Sequence, residues 1–148
     1  MRLKTWTATS AVLLCLLPGL SQARDTTLNL PFEKVVQQML NEKKLDGSVK
    51  FYLAGVQPKG KVKVLRANEF TNKKTNAFNK SDEAACEWAL QSALLTMQDA
   101  ARKAGANAVT NIASYYKKNE RKDPVTYECH AGAVIAGVAI KGDLSRAD

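Results

Sequence analysis

Apolar residues recur at helical spacing in two stretches of the chain. Within residues 31–43 they are Phe32, Val35, Val36, Met39 and Leu40, the stripe of an amphipathic helix, and Pro31 suits its first position. Within residues 81–105 they are Cys86, Leu90, Ala93, Leu94, Met97 and Ala101. Ser81 is placed to cap this second helix, Asp82 and Glu83 complement its positive end, and Gly105 stops it after Arg102 and Lys103. Its many alanines make it slim, so it can lie close to a sheet. Trp88 and Leu95 sit seven residues apart on the side away from the Cys86 stripe, among Glu87, Gln91, Gln98 and Arg102.

Alternation marks the strands. Val49, Phe51 and Leu53 alternate with Lys50 and Tyr52, after an Asp46-Gly47 turn. A second strand is expected over residues 61–67, followed by a polar loop over 68–80 with Phe70 and Phe78 as anchors. A third covers residues 108–116, then a charged hairpin loop over 117–123. The last spans 125–140. Its first half sends Val125, Tyr127 and Cys129 to one side, and its second half sends Val134, Val138 and Ile140 to one side. The two sets have opposite parity, which calls for a bulge, and Gly132 is the natural place for it. The order predicted is α-β-β-α-β-β: an α+β fold with two helices on one face of a mostly antiparallel four-stranded sheet.

The first 23 residues are patterned differently. Arg2 and Lys4 precede an apolar run over residues 11–17, and Pro18-Gly19 and Ser21-Gln22-Ala23 follow. This is the layout of a cleavable secretory signal peptide, and the run is shorter than the ~20 residues needed to span a bilayer. Cleavage after Ala23 is expected, with residues 24–148 forming one domain in the periplasm. Cys15 invites a lipoprotein reading, but Leu14 stands before it where a small residue belongs.

Export changes the reading of the cysteines. Cys86 and Cys129 alone remain, and an even pair in an oxidising compartment reads as a disulfide. Periodicity supports this, because each lies on the core side of its own element. The loop they close is worth roughly 4 kcal/mol in the chain-entropy model.

Charge then singles out one segment. Without Arg2 and Lys4 the chain holds 20 basic and 14 acidic residues. Lys59, Lys61, Lys63, Arg66, Lys73, Lys74 and Lys80 stand against Glu69 alone, so this segment carries the whole surplus. Such a face attracts anionic lipid, lipopolysaccharide, peptidoglycan carboxylates or an acidic protein. Nucleic acid fits the charge but not the compartment. A row of lysines can equally be the guard of an unpaired strand edge.

Residues able to do chemistry are sparse. Glu128 and His130 flank Cys129 and share the opposite strand face, a weak pair for a metal that normally takes three or four ligands. Ser48, Ser92 and Ser114 have no orienting motif around them, and no carboxylate sits in an apolar setting. No catalytic residues, cofactor or enzymatic activity are expected. Trp88 and Leu95 offer a protein-contact patch, unless the N-terminal segment or first helix folds over them.

The run Ala-Arg-Lys-Ala-Gly-Ala-Asn-Ala-Val-Thr-Asn-Ile ending at Ile112, with its charged hairpin and the glycines at 132, 137 and 142, resembles the YbjQ-like and RcsF-like group of small bacterial domains. The likeness covers about the last 60 residues. It implies an envelope setting, since RcsF-like proteins sense envelope stress at the outer membrane. Those proteins also join the helical side to the last strand by a disulfide, and Cys129 ahead of Gly137-Val138-Ala139-Ile140 is similar. YbjQ-like proteins also carry a metal-binding label, and such chains an excinuclease label; the latter has no support here, because the phosphate loop Gly-x-x-x-x-Gly-Lys-Ser/Thr is missing. The element order is also similar to that of lipid-binding BON domains, without a shared motif. Together these features imply a non-enzymatic periplasmic binding or envelope-sensing module. The alternative is a structural or stress-protective protein on lipid or polyanion surfaces, and weak metal binding is the third reading.

Overall fold

The structure, a computed structural model, describes residues 23–148. The expected signal peptide up to Gln22, and Cys15 with it, lies outside the described residues. The elements are β1 (Thr26–Pro31), α1 (Phe32–Asn41), β2 (Lys50–Leu53), β3 (Val62–Asn76), α2 (Asp82–Lys103), β4 (Ala108–Tyr116), β5 (Asn119–Arg121), β6 (Thr126–Ala131) and β7 (Ile135–Ala147). The class is α+β, but the expected four-stranded sheet and its α-β-β-α-β-β order are overturned: two helices accompany a mixed sheet of seven strands.

Strand β7 organises that sheet. One of its edges pairs with β3, from Ile135 opposite Asn76 to Ala147 opposite Val62. Its other edge takes β6 at Ala136 and Gly137, then β4 between Ile140 and Ser145. The sheet therefore forks. Strand β6 carries β1 outward, while β4 carries β5 and the parallel strand β2. At the fork, the Glu128 N–H donates to Ser114 Oγ at 2.9 Å and ties the branches together. Gly142 of β7 is packed too tightly for a side chain, since a Cβ there would lie 2.8 Å from a Val109 methyl.

Three strands add to the expected four: β1, the short β5 inside the expected 117–123 loop, and the second of the two strands, β6 and β7, into which the last one divides. Strand β3 is also longer than expected. The alternation Thr27-Leu28-Asn29-Leu30 makes β1, with Leu28 and Leu30 packed on the core. The polar stretch expected as a loop is the outer half of β3: Thr71 is buried and Lys73 and Thr75 half-buried toward α2, while Phe70, Asn72 and Lys74 point out. Pairing with β7 overrides the poor strand propensity of Asn and Lys. Asn68, at φ +57°, marks the irregular register between Arg66 and Glu69. Finally, the parity change near Gly132 is a chain reversal rather than a bulge. The Gly132 N–H donates to Ile135 O at 2.8 Å, and β6 turns back into β7.

Helix α2 follows its sequence signals closely. Ser81 Oγ accepts from the Ala84 N–H at 3.1 Å, and Gly105 at φ +74° ends the helix. Helix α1 begins one residue later than expected, at Phe32, because Pro31 closes β1 opposite Thr126. Phe32, Val35, Val36 and Met39 of α1 and the buried stripe of α2 meet Tyr127, Cys129, Val138, Ile140 and Leu144 in one core. Within it, Cys86 and Cys129 form a disulfide with Cα atoms 5.8 Å apart. Among the described residues, no helix is long and apolar enough to cross a membrane.

Candidate binding surfaces

Strand β3 is an edge: among the described residues, β7 is its one partner and no strand lies on its other side. Lys59, Lys61, Lys63 and Arg66 cluster at one end of it, with Arg146 directly opposite Lys63. Lys73 and Lys74 lie in its other half, opposite Val138 and Gly137, and Lys80 falls in the turn before α2. The seven cations thus form a line along an edge rather than a single patch. Alternation sends Lys73 toward α2 and Lys74 to the opposite face. Val62, Val64 and Leu65 are exposed among them.

Ion pairs are sparser on this line than on the rest of the surface. Among the described residues, Arg66 is the one member with an acidic partner, Glu69 at 3.0 Å. Elsewhere several acids pair with other cations. Arg24 holds Asp82, Lys34 holds Glu87, Arg102 holds Asp46, and Lys141 and Lys122 share Glu120. Hydrogen bonding and charge from Arg24 hold the Asp82 carboxyl below its ordinary pKa, and Lys141 is raised by Glu120 in the same way.

Trp88 is 52% exposed and Leu95 39%. Helix α1 does not cover them, although the Lys44 ammonium lies 5.1 Å from the Trp88 ring centre. Their expected neighbours Gln91 and Gln98 are buried instead. The reason is that α1 and the turn after it run along that flank: Lys44 donates to Gln91 Oε1 at 3.1 Å, and Arg102 bonds Asp46 and Ser48. The Trp88 patch is therefore narrower than the helical wheel implies.

Glu128 and His130 do share the face opposite Cys129, but His130 is no loose surface residue. Its ring stacks on Tyr116 with centroids 3.4 Å apart. Its Nε2 lies 2.7 Å from Glu128 Oε1 and its Nδ1 3.1 Å from Asp25 Oδ1. A carboxylate thus occupies each nitrogen, and the two acids approach from opposite sides of the ring. Among the described residues, no three His, Cys, Asp or Glu side chains converge as a metal would require. Ser48 and Ser92 bond Asp46 and the Trp88 carbonyl, and Ser114 binds the Glu128 N–H. None of the three reaches His130.

One feature escaped the sequence reading. Between α1 and β2 lies an apolar cleft of about 450 Å³. Phe32, Val36, Leu40, Val49, Phe51 and Leu53 form its walls, and Val125 stands exposed on its rim. Two neighbouring segments, α1 and residues 45–56, build most of it and Pro124 and Val125 close one end; each looks like ordinary core when taken alone.

The chain matches no protein-family model, and neither a curated protein nor a solved structure is similar enough to count as a relative.

Proposed function

We propose that the protein is a non-enzymatic binding module of the bacterial envelope, exported to the periplasm, whose β3 edge engages an anionic envelope component. The observation that carries this is the concentration of unpaired cations on that edge, where one of seven finds an acid. Positive charge left without internal partners is available to an external one. Exposed Val62, Val64 and Leu65 between the cations add apolar contact of the kind an interfacial segment uses. The disulfide suits an oxidising compartment. The resemblance of the last 60 residues to RcsF-like domains supports an envelope setting. A protein-sensing role has its own support in Trp88, an aromatic anchor more than half exposed.

Vesicle sedimentation tests the main reading. The protein should bind vesicles rich in phosphatidylglycerol and ignore phosphatidylcholine vesicles, with affinity falling as salt rises. Each surface cation near an anionic membrane is worth about 1 kcal/mol. Changing Lys61, Lys63 and Arg66 together to Gln should therefore weaken binding about a hundredfold. Equal binding by the triple variant and the parent sinks the proposal.

A further inference from the structure

The cleft between α1 and β2 has a feature that a mere packing defect lacks: one of its walls is an open sheet edge. Strand β2 ends the sheet and, among the described residues, pairs with β4 alone. The Lys50 N–H donates to Asn107 O at 3.0 Å and the Ala54 N–H to Ile112 O at 2.9 Å. Even-numbered positions thus face β4, and alternation turns the N–H and C=O of Phe51 the other way. The irregularity in this pairing falls on β4, where Asn111 sits at φ +52°, so β2 itself stays regular. A strand with free backbone groups beside an apolar trough, closed on the far side by a helix, is the layout that accepts an extended peptide as an added strand.

The ends of the trough differ in charge. At one end lie Phe32, Glu33, Leu53 and Val56 beside Pro124 and Val125; at the other lie Leu40, Leu45, Gly47 and Lys50. Glu33 accepts from Gln37 Nε2 at 2.7 Å and has no cation on it among the described residues, and Lys50 has no acid on it. A strand added antiparallel to β2 runs from the Glu33 end to the Lys50 end. Its amino-terminal side then meets the acid, and its carboxyl-terminal side meets the base. Size sets the side chains. A 150 Å³ cavity holds one benzene, so about 450 Å³ takes two large apolar groups with room to spare. On a strand, side chains two apart share a face.

We infer that this cleft binds a short extended peptide antiparallel to β2. The peptide has two large apolar side chains separated by one residue, a cation on its amino-terminal side and a carboxylate at its carboxyl end. This site is separate from the cationic β3 edge, and either can fail without the other.

The probe is a fluorescein-labelled Lys-Leu-Ser-Phe-Ala peptide with a free carboxyl terminus, titrated into the full mature chain. Saturable binding is expected, with hydrogen exchange of the Phe51 amide slowed in the complex. Lys50→Glu should weaken binding about tenfold, and amidating the peptide should erase the difference between Lys50→Glu and the parent. Val125→Trp, on the exposed rim, should block entry while leaving the fold intact. The triple variant Lys61→Gln, Lys63→Gln, Arg66→Gln should bind the peptide as the parent does. No saturation at millimolar peptide overturns the inference. So does displacement by dodecanoate without protection of Phe51, which would make the cleft an acyl pocket, and so does a self-associating chain whose dimer buries Val125.

Discussion

The interior where α2 meets the sheet and the outer edge of β3 handle the same problem in opposite ways. Both border the same strand, β7. In the interior, Cys86, Leu90, Leu94 and Met97 are fully buried beside Cys129, Val138 and Ile140, with no charge among them. At the edge, charge is abundant, unpaired and exposed, and apolar side chains such as Val64 reach solvent. The interior gains its stability from burial and cross-linking. The edge contributes little to stability, so its composition is free to serve a partner or to repel unwanted strands. Substitutions should therefore separate stability from binding according to the region they touch.

The sharpest contrast comes from the disulfide. Cys86 and Cys129 are 43 residues apart, and in the chain-entropy model their link is worth about 4 kcal/mol. Replacing both by Ala, or reducing the bond, should lower the unfolding free energy in urea by about that amount. A loss below about 1 kcal/mol would mean the core does not depend on its staple. Because the β3 cations lie elsewhere, whatever fraction remains folded should keep its affinity for anionic vesicles.

This contrast was partly legible from sequence. Local chemistry is why: Ser81 and Gly105 bound α2 through interactions within a few residues, and β4 occupies the 108–116 span that alternation predicts. Both cysteines lie on core faces and meet, although Cys129 is expected there by way of a bulge at Gly132 and reaches it with a chain reversal at that point instead. What depended on distant partners was not legible. Strand β3 doubles its expected length because β7 supplies hydrogen bonds to residues that would otherwise favour a loop. One parity change fits both a bulge and a hairpin, and only the pairing of Ala131 with Ala136 separates them. The cleft has to be closed at one end by Pro124 and Val125, far along the chain from α1 and β2, and the His130 clamp needs Asp25.

Tyr127 gives a smaller effect within the interior. Its side chain is buried, and its hydroxyl has no hydrogen-bond partner among the described residues. Burial, together with the nearby Glu87 and Glu83 carboxylates, pushes the phenol pKa far above its usual range. The folded chain thus holds a proton that the unfolded chain releases above about pH 10. The stability this group contributes is intact below that pH and lost as pH rises beyond it, by up to about 1.4 kcal/mol per pH unit. Tyr127→Phe should remove that alkaline component, visible as a shallower fall of unfolding free energy above pH 10. At neutral pH it should stabilise the fold by about 1 kcal/mol, since an unpaired buried hydroxyl is no longer desolvated. A destabilised Tyr127→Phe would show that the hydroxyl has a partner in solution.

The smallest effect on stability belongs to the edge. Lys61 and Lys63 have no ion pair to lose, and the Arg66–Glu69 pair is solvent-exposed. Exposed pairs contribute between about zero and 1 kcal/mol. Turning all three cations to Gln also relieves repulsion between Lys63 and Arg146, which face each other across β3 and β7. These terms oppose one another, so the net change in unfolding free energy should stay within about 0.5 kcal/mol. The same variant is expected to lose most of its affinity for anionic vesicles. If it instead becomes prone to aggregate while vesicle binding persists, the lysines serve as strand guards, and the edge protects the protein from its neighbours rather than connecting it to them.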